Sequence, residues 1–105
     1  MNTTKTAIIT GGGGGLGRAA ASKLAESGIN ISIIDVSEEQ GNETVRLVEE
    51  KGAKAIFIKA DVTKAEEVKK YVEKTVETFG SVDMFFNNAG ISGPGKKFLD
   101  NSIEQ

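Results

Sequence analysis

The sequence predicts an α/β fold in which four short strands alternate with three helices around a parallel sheet. Two observations carry that expectation. Apolar runs of strand length recur four times, and each of the first three leads into a segment of helical apolar spacing that stops at glycine. The strand runs are continuously apolar, the pattern of strands covered on both faces by helices. With right-handed crossovers, such a chain forms half of a doubly wound sheet with strand order 3-2-1-4.

The elements follow in order. Residues 6–10, Thr-Ala-Ile-Ile-Thr, are the first strand. A helix is expected over residues 15–27, with Leu16, Ala20 and Leu24 on one face and Gly28 as its stop. Residues 30–35 are rich in isoleucine, whose branched side chain suits a pleated surface, and form the second strand. Ser37 is a good N-cap, with Gln40 three residues on as in a capping box. The helix it opens runs to Lys51, buries Val45 and Val48, and ends at Gly52. Residues 54–59 give the third strand, around Ile56-Phe57-Ile58. Thr63 is the expected cap of a third helix, whose Val68, Val72, Val76 and Phe79 recur at helical spacing before Gly80. Residues 82–86 are the fourth strand. The remainder is loop-like, with Gly93-Pro94-Gly95 at its centre.

Composition bounds the chemistry. The chain has 105 residues, 13 of them glycine, one proline, and neither cysteine nor histidine. That excludes a disulfide framework, a thiol nucleophile, a Ser-His-Asp triad and an ordinary zinc site. A formal charge of −2 with interspersed signs gives no electrostatic reason to bind nucleic acid or a membrane surface. The length suits one domain, residues 1–105. No signal-peptide pattern or long apolar span is present, so the cytoplasm is the expected location.

The glycines concentrate where they can do chemistry. Five are consecutive, Gly11 to Gly15, followed by Leu16 and Gly17. Such a run alone also describes a flexible linker. Here it follows a strand and opens a helix, where the first N–H groups lack partners and the helix dipole is positive. A pyrophosphate satisfies those donors if no Cβ obstructs the backbone. Two registers fit: Gly12-x-Gly14-x-x-Gly17, a common dinucleotide fingerprint that a glycine run matches cheaply, and Thr10-Gly11-x-x-x-Gly15-x-Gly17. In the second, the tight turn and the close packing onto the sheet belong to Gly11, Gly15 and Gly17.

The second spacing resembles the short-chain dehydrogenase/reductase family. Asn87-Asn88-Ala89-Gly90, at the end of the fourth strand, looks like that family's N-N-A-G element. Asp61-Val62, after the third strand, is similar to its adenine-contacting acidic-apolar pair. The resemblance spans essentially the whole chain and implies a Rossmann-type, NAD-dependent oxidoreductase moving hydride between nicotinamide and an alcohol or carbonyl substrate. It also implies residue roles. Thr10 would pin the loop, Gly11 and Gly15 would shape it with Gly14 and Gly17, and Leu16 would offer its backbone to the pyrophosphate. Asp35, at the end of the second strand, would accept the ribose hydroxyls; its other reading is a solvated strand-end acid. A 2′-phosphate would meet that carboxylate as a like charge, and Gly14 stands where a basic residue would precede Gly15, so NAD is expected over NADP. Asp61 would bind the adenine amino group, with Val62 against the ring, or else is an acid of the cap region. Asn88, Ala89 and Gly90 would line the cofactor's ribose. Asn87 either fixes the sheet or touches ligand.

The family's catalytic Tyr-x-x-x-Lys pair is missing. Tyr71 is the one tyrosine, and Thr75 lies four positions on. Its place in the third helix predicts packing, not catalysis. Ser81, Ser92 and Ser102 are at unsuitable positions for the substrate-orienting serine. No residue of this chain is assigned a catalytic role, and none a metal. The expectation is an amino-terminal, cofactor-binding half, inactive alone and ending before the catalytic half; the alternative is a stand-alone nucleotide-binding or regulatory module. The fourth strand, left as an exposed edge, is expected to support self-association. Residues 93–98 form either one wall of a substrate mouth or a connector.

Overall fold

The computed structural model of the chain describes residues 4–87. The elements are β1 (Thr6–Thr10), α1 (Gly15–Glu26), β2 (Asn30–Asp35), α2 (Glu38–Glu50), β3 (Ala55–Lys59), α3 (Ala65–Phe79) and β4 (Met84–Asn87). All strand pairs are parallel, and the sheet order is β3-β2-β1-β4. This is the α/β Rossmann-type half expected from the sequence.

Continuous apolar strands have two faces to bury, and the sheet divides them. Ala7, Ile9, Ile31 and Ile33 face one side with Ala21 and Ala25 of α1 and Val48 of α2. Ile8 and Ile34 face the other with Tyr71 of α3. Each fully buried isoleucine is worth about 1.5–3 kcal/mol relative to exposure. Small residues let the first layer close tightly. A Cβ on Gly41 would overlap the Phe57 ring, and one on Gly17 would overlap the backbone of Gly11 and Gly12.

Ser37 caps α2 as expected, its hydroxyl accepting from the Gln40 N–H at 3.3 Å. Three expectations are corrected. Leu16 is 77% exposed and does not share α1's buried face, which consists of Gly17, Ala21 and Ala25. The closest packing goes to the smallest residues, so the helix turns Leu16 away from the sheet. Thr63 does not cap α3. The helix starts at Ala65 with Lys64 at the cap, and Thr63 instead donates through its hydroxyl and N–H to Asp61 Oδ1. The deepest residues of α3 are Tyr71 and Thr75, with Val68 and Val72 half-buried and Val76 exposed. The Thr75 hydroxyl tolerates burial because Ser32 Oγ and the Tyr71 carbonyl lie at 2.8 and 2.7 Å.

β4 begins at Met84, and Asp83 just before it fastens the strand to the start of β1. The Asp83 N–H donates to the Thr6 carbonyl at 2.8 Å, and Asp83 Oδ2 accepts from the Thr6 N–H at 2.9 Å. Those contacts lie at the amino edge of the sheet. The carboxyl edge, where β1, β2 and β3 release the glycine turn, Asp35 and Asp61, is left open as a groove.

Candidate functional site

The groove has a volume of about 570 Å³. Its floor is the glycine turn and the first turn of α1, through Gly11, Gly14, Gly15 and Leu16. Asp35 and Val36 form one wall, and Asp61 and Val62 another. Thus three strand ends distant in sequence contribute to one cavity.

The turn is built from glycine for two separate reasons. Gly11 leaves β1 with φ 68°, a left-handed conformation that glycine adopts without the strain of a Cβ. Its N–H donates to the Ile34 carbonyl at 2.7 Å, which binds the turn to the end of β2. Gly17 is required by space, since a Cβ there would stand 2.2 Å from the Gly11 carbonyl oxygen. Gly15 is different again. A Cβ there would meet nothing within 4 Å, so protein packing does not demand glycine, and the close-packing role expected of it is instead carried by Gly17 and by Gly12, whose Cβ would press on Ile33.

α1 has Gly14 at its N-cap, without a side-chain cap and without an acidic residue in its first turn. Among the described residues, no hydrogen bond takes up the N–H of Gly15 or Leu16. Orphan donors at a helix start carry partial positive charge and suit an anion. Leu16 presents its exposed side chain beside them.

Asp35 is anchored on both oxygens. Oδ2 accepts from the Gly13 N–H and Oδ1 from the Ser37 N–H, each at 2.9 Å. A carboxylate offers about four acceptor positions, so capacity for further donors remains. Asp61 Oδ1 takes the Thr63 hydroxyl at 2.6 Å and its N–H at 3.0 Å. These bonds, the hydroxyl foremost, hold the Asp61 carboxyl below its ordinary range. Among the described residues, no lysine or arginine lines the groove, whereas two aspartates do.

Thr10 is buried, and its hydroxyl donates to Asn87 Oδ1 at 2.9 Å. Asn87 therefore fixes the end of β4 to β1, one of the two roles read from sequence. Asn88, Ala89 and Gly90 lie outside the described residues, as do Ser92, Ser102 and residues 93–98. Tyr71 packs at 2% exposure against Phe85, ring centres 6.2 Å apart, and burial raises its hydroxyl pKa.

Comparison with known proteins decides the family. The model described as short chain dehydrogenase matches residues 5–105. The chain belongs to the short-chain dehydrogenase family. An uncharacterized oxidoreductase of Thermotoga maritima is 49% identical over 87 residues, covering 83% of this chain and 34% of that protein. Levodione reductase of Leifsonia aquatica is 44% identical over 93 residues, covering 87% of this chain and 35% of that protein. A crystal structure of NAD+-bound xylitol dehydrogenase superposes with a TM-score of 0.81 at 37% identity, covering 93% of this chain and 39% of that one. The short-chain dehydrogenase chain thus spans about a third of the length of the curated relatives it matches.

Sequence reasoning missed the residues behind the glycine turn of this short-chain dehydrogenase. Arg18 Nη2 donates to the Gly13 carbonyl at 3.2 Å, and Arg18 Nε to Thr44 Oγ1 at 3.1 Å. Thr44 Oγ1 in turn donates to the Gly12 carbonyl at 2.8 Å. The available signal was compositional: five glycines in a row have no side chains with which to fix themselves.

Proposed function

We propose that the chain binds NAD as the cofactor half of an oxidoreductase that moves hydride between nicotinamide and an alcohol or carbonyl substrate. One observation carries this reading. The groove combines unpartnered helix-start amides on its floor with a carboxylate at the end of β2 and, among the described residues, no cation on its walls. Amides of that kind suit a pyrophosphate. A carboxylate suits ribose hydroxyls and repels a 2′-phosphate, which favours NAD over NADP.

In this proposal Gly11, Gly14, Gly15 and Gly17 shape the cradle, Thr10 pins it, and Leu16 gives its N–H to the pyrophosphate. Asp35 receives the ribose hydroxyls, Asp61 the adenine amino group, and Val62 packs on the base. Asn88, Ala89 and Gly90 would line the cofactor's ribose. The bound nicotinamide would supply the hydride acceptor or donor. None of these 105 residues forms a Tyr-x-x-x-Lys pair, so we assign them cofactor binding and no catalytic role.

Calorimetry with NAD and NADP on the chain and its Asp35→Ala variant tests the reading. A hydrogen bond to a charged group is worth about 1.5–3 kcal/mol, so NAD should weaken by roughly tenfold or more. Asp35 also holds the Gly13 N–H, and loosening the turn would weaken both dinucleotides alike. The deciding quantity is therefore the NAD/NADP ratio. An unchanged ratio sinks the ribose assignment.

A further inference from the structure

A turn of five glycines is costly to order, because glycine loses more backbone freedom on folding than any other residue. It also has no side chains with which to make its own contacts. An anion cradle nevertheless requires fixed N–H directions, since donors aimed in advance avoid an ordering cost at the moment of binding. Something outside the turn must set those directions.

We infer that Arg18 and Thr44 are positioning residues that preset the glycine turn for the dinucleotide by holding the Gly12 and Gly13 carbonyls against α2. This inference rests on the nucleotide reading above. The two side chains form one connected unit. The Arg18 guanidinium donates to the Gly13 carbonyl at 3.2 Å and to Thr44 Oγ1 at 3.1 Å, with the Gln40 carbonyl at 3.4 Å. Thr44, fully buried, passes its own proton toward the Gly12 carbonyl at 2.8 Å.

The peptide geometry turns these bonds into directions. In a planar trans peptide the carbonyl and the following N–H point to opposite sides. With the Gly12 carbonyl held toward Thr44, the Gly13 N–H points away from it and meets Asp35 Oδ2 at 2.9 Å. With the Gly13 carbonyl held toward Arg18, the Gly14 N–H turns inward and donates to the Gly11 carbonyl at 3.1 Å. Both peptides ahead of α1 are thereby locked, and the next amides, of Gly15 and Leu16, are left at the groove. Arg18 itself does not line that groove. Its guanidinium acts through the Gly13 carbonyl and Thr44, while its own N–H donates to the Gly14 carbonyl at 2.8 Å in the first turn of α1.

The guanidinium suits this task because one rigid fork serves two acceptors, which an ammonium cannot do in the same geometry. Threonine suits it because its hydroxyl donates to one partner while accepting from another. Valine would match its shape without the hydroxyl, and serine would keep the hydroxyl without the methyl group.

The test compares Thr44→Val, Thr44→Ser and Arg18→Met with the unaltered chain, by amide hydrogen exchange without ligand and by calorimetry with NAD. Thr44→Val and Arg18→Met should speed exchange at Gly13 and Gly14 by a larger factor than at the Ile33 amide in the core. Freeing the Gly12 carbonyl in Thr44→Val, or the Gly13 carbonyl in Arg18→Met, should weaken NAD by about threefold to tenfold. Thr44→Ser should stay close to the unaltered chain in both measurements. Equal acceleration of turn and core amides would reduce Thr44 to a packing residue and overturn the inference, as would a Thr44→Ser variant as impaired as Thr44→Val. If Arg18→Met fails to fold, the Thr44 pair still decides. If the unaltered chain takes up no NAD, the dinucleotide reading falls, and a preset turn as a dinucleotide device falls with it; the exchange data then separately report whether Arg18 and Thr44 hold the turn.

Discussion

Glycine appears at both edges of the sheet, and it is there for different physical reasons. At the carboxyl edge, Gly17 is required by proximity: the α1 backbone passes so close to the turn that a Cβ would stand 2.2 Å from the Gly11 carbonyl oxygen and 2.7 Å from the Gly12 Cα. At the amino edge, Gly28 is required by direction: its φ is 78°, and a Cβ there would meet nothing within 4 Å. Gly17 brings two stretches of backbone together, and Gly28 turns the chain back into the sheet. Of these two glycines only Gly17 can bear on ligand binding, because the groove lies at the carboxyl edge.

The largest effect expected of this contrast is at Gly17. The obstructing atoms are backbone and cannot swing aside, so Gly17→Ala should destabilise the chain by about 3 kcal/mol or more, at or beyond the upper end of ordinary overpacking. The urea midpoint should fall and NAD binding should be lost with it. Gly28→Ala should cost about 1–2 kcal/mol, the penalty of a left-handed residue that has a Cβ. It should leave NAD affinity unchanged wherever the variant is folded. Equal effects of the two changes on binding would erase the distinction between the edges.

The fold was legible because its signals are local. Apolar runs, helical spacing and glycine stops lie within a few residues of one another, and together they set the element order. The position of the glycine turn, Asp35 and Asp61-Val62 along one groove was legible because they follow strand ends, which a parallel sheet brings to one edge. What could not be read depends on distant partners. Thr44 meets Gly12 across 32 positions, and Asp83 meets Thr6 across 77. Apolar periodicity also misled at α3, since Thr75 is buried through its hydroxyl partners while Val76 is exposed. Leu16 was misassigned for the complementary reason: the close approach of Gly17 rotates α1, and no hydropathy pattern records that approach.

Each edge also carries an aspartate whose carboxyl is held below its ordinary range, with different partners. Asp61, on the groove, is lowered by its neighbour Thr63. Asp83, at the amino edge, is lowered foremost by the Thr6 N–H and then by the Ser81 hydroxyl. A depressed folded-state pKa means that Asp83 contributes stability above the unfolded carboxylate value. That contribution is lost as pH falls through the lowered folded value. Asp83→Asn should therefore be less stable than the unaltered chain at neutral pH, and the difference should shrink toward zero on acidification below the ordinary carboxylate range. Urea melts at several pH values measure this. A stability difference independent of pH would show that the ionised form of Asp83 is not what fastens β4 to β1.

The smallest effect on stability is expected at Gly15, and it separates folding from function most sharply. Gly15 opens α1, its Cβ would point into open space, and alanine is the better helix former. Gly15→Ala should therefore leave the unfolding free energy from urea melts within about 0.5 kcal/mol of the unaltered chain, as for substitutions remote from strain or packing. The same methyl group would stand on the floor of the groove, where the dinucleotide's pyrophosphate is proposed to approach the backbone, and calorimetry should show weaker NAD binding. Gly17→Ala loses the fold and the ligand together, so it cannot say why glycine is there. Gly15→Ala can. Weakened binding at intact stability would mean that glycine stands at this position for the ligand, whereas binding unchanged by the added methyl would remove Gly15 from the cradle.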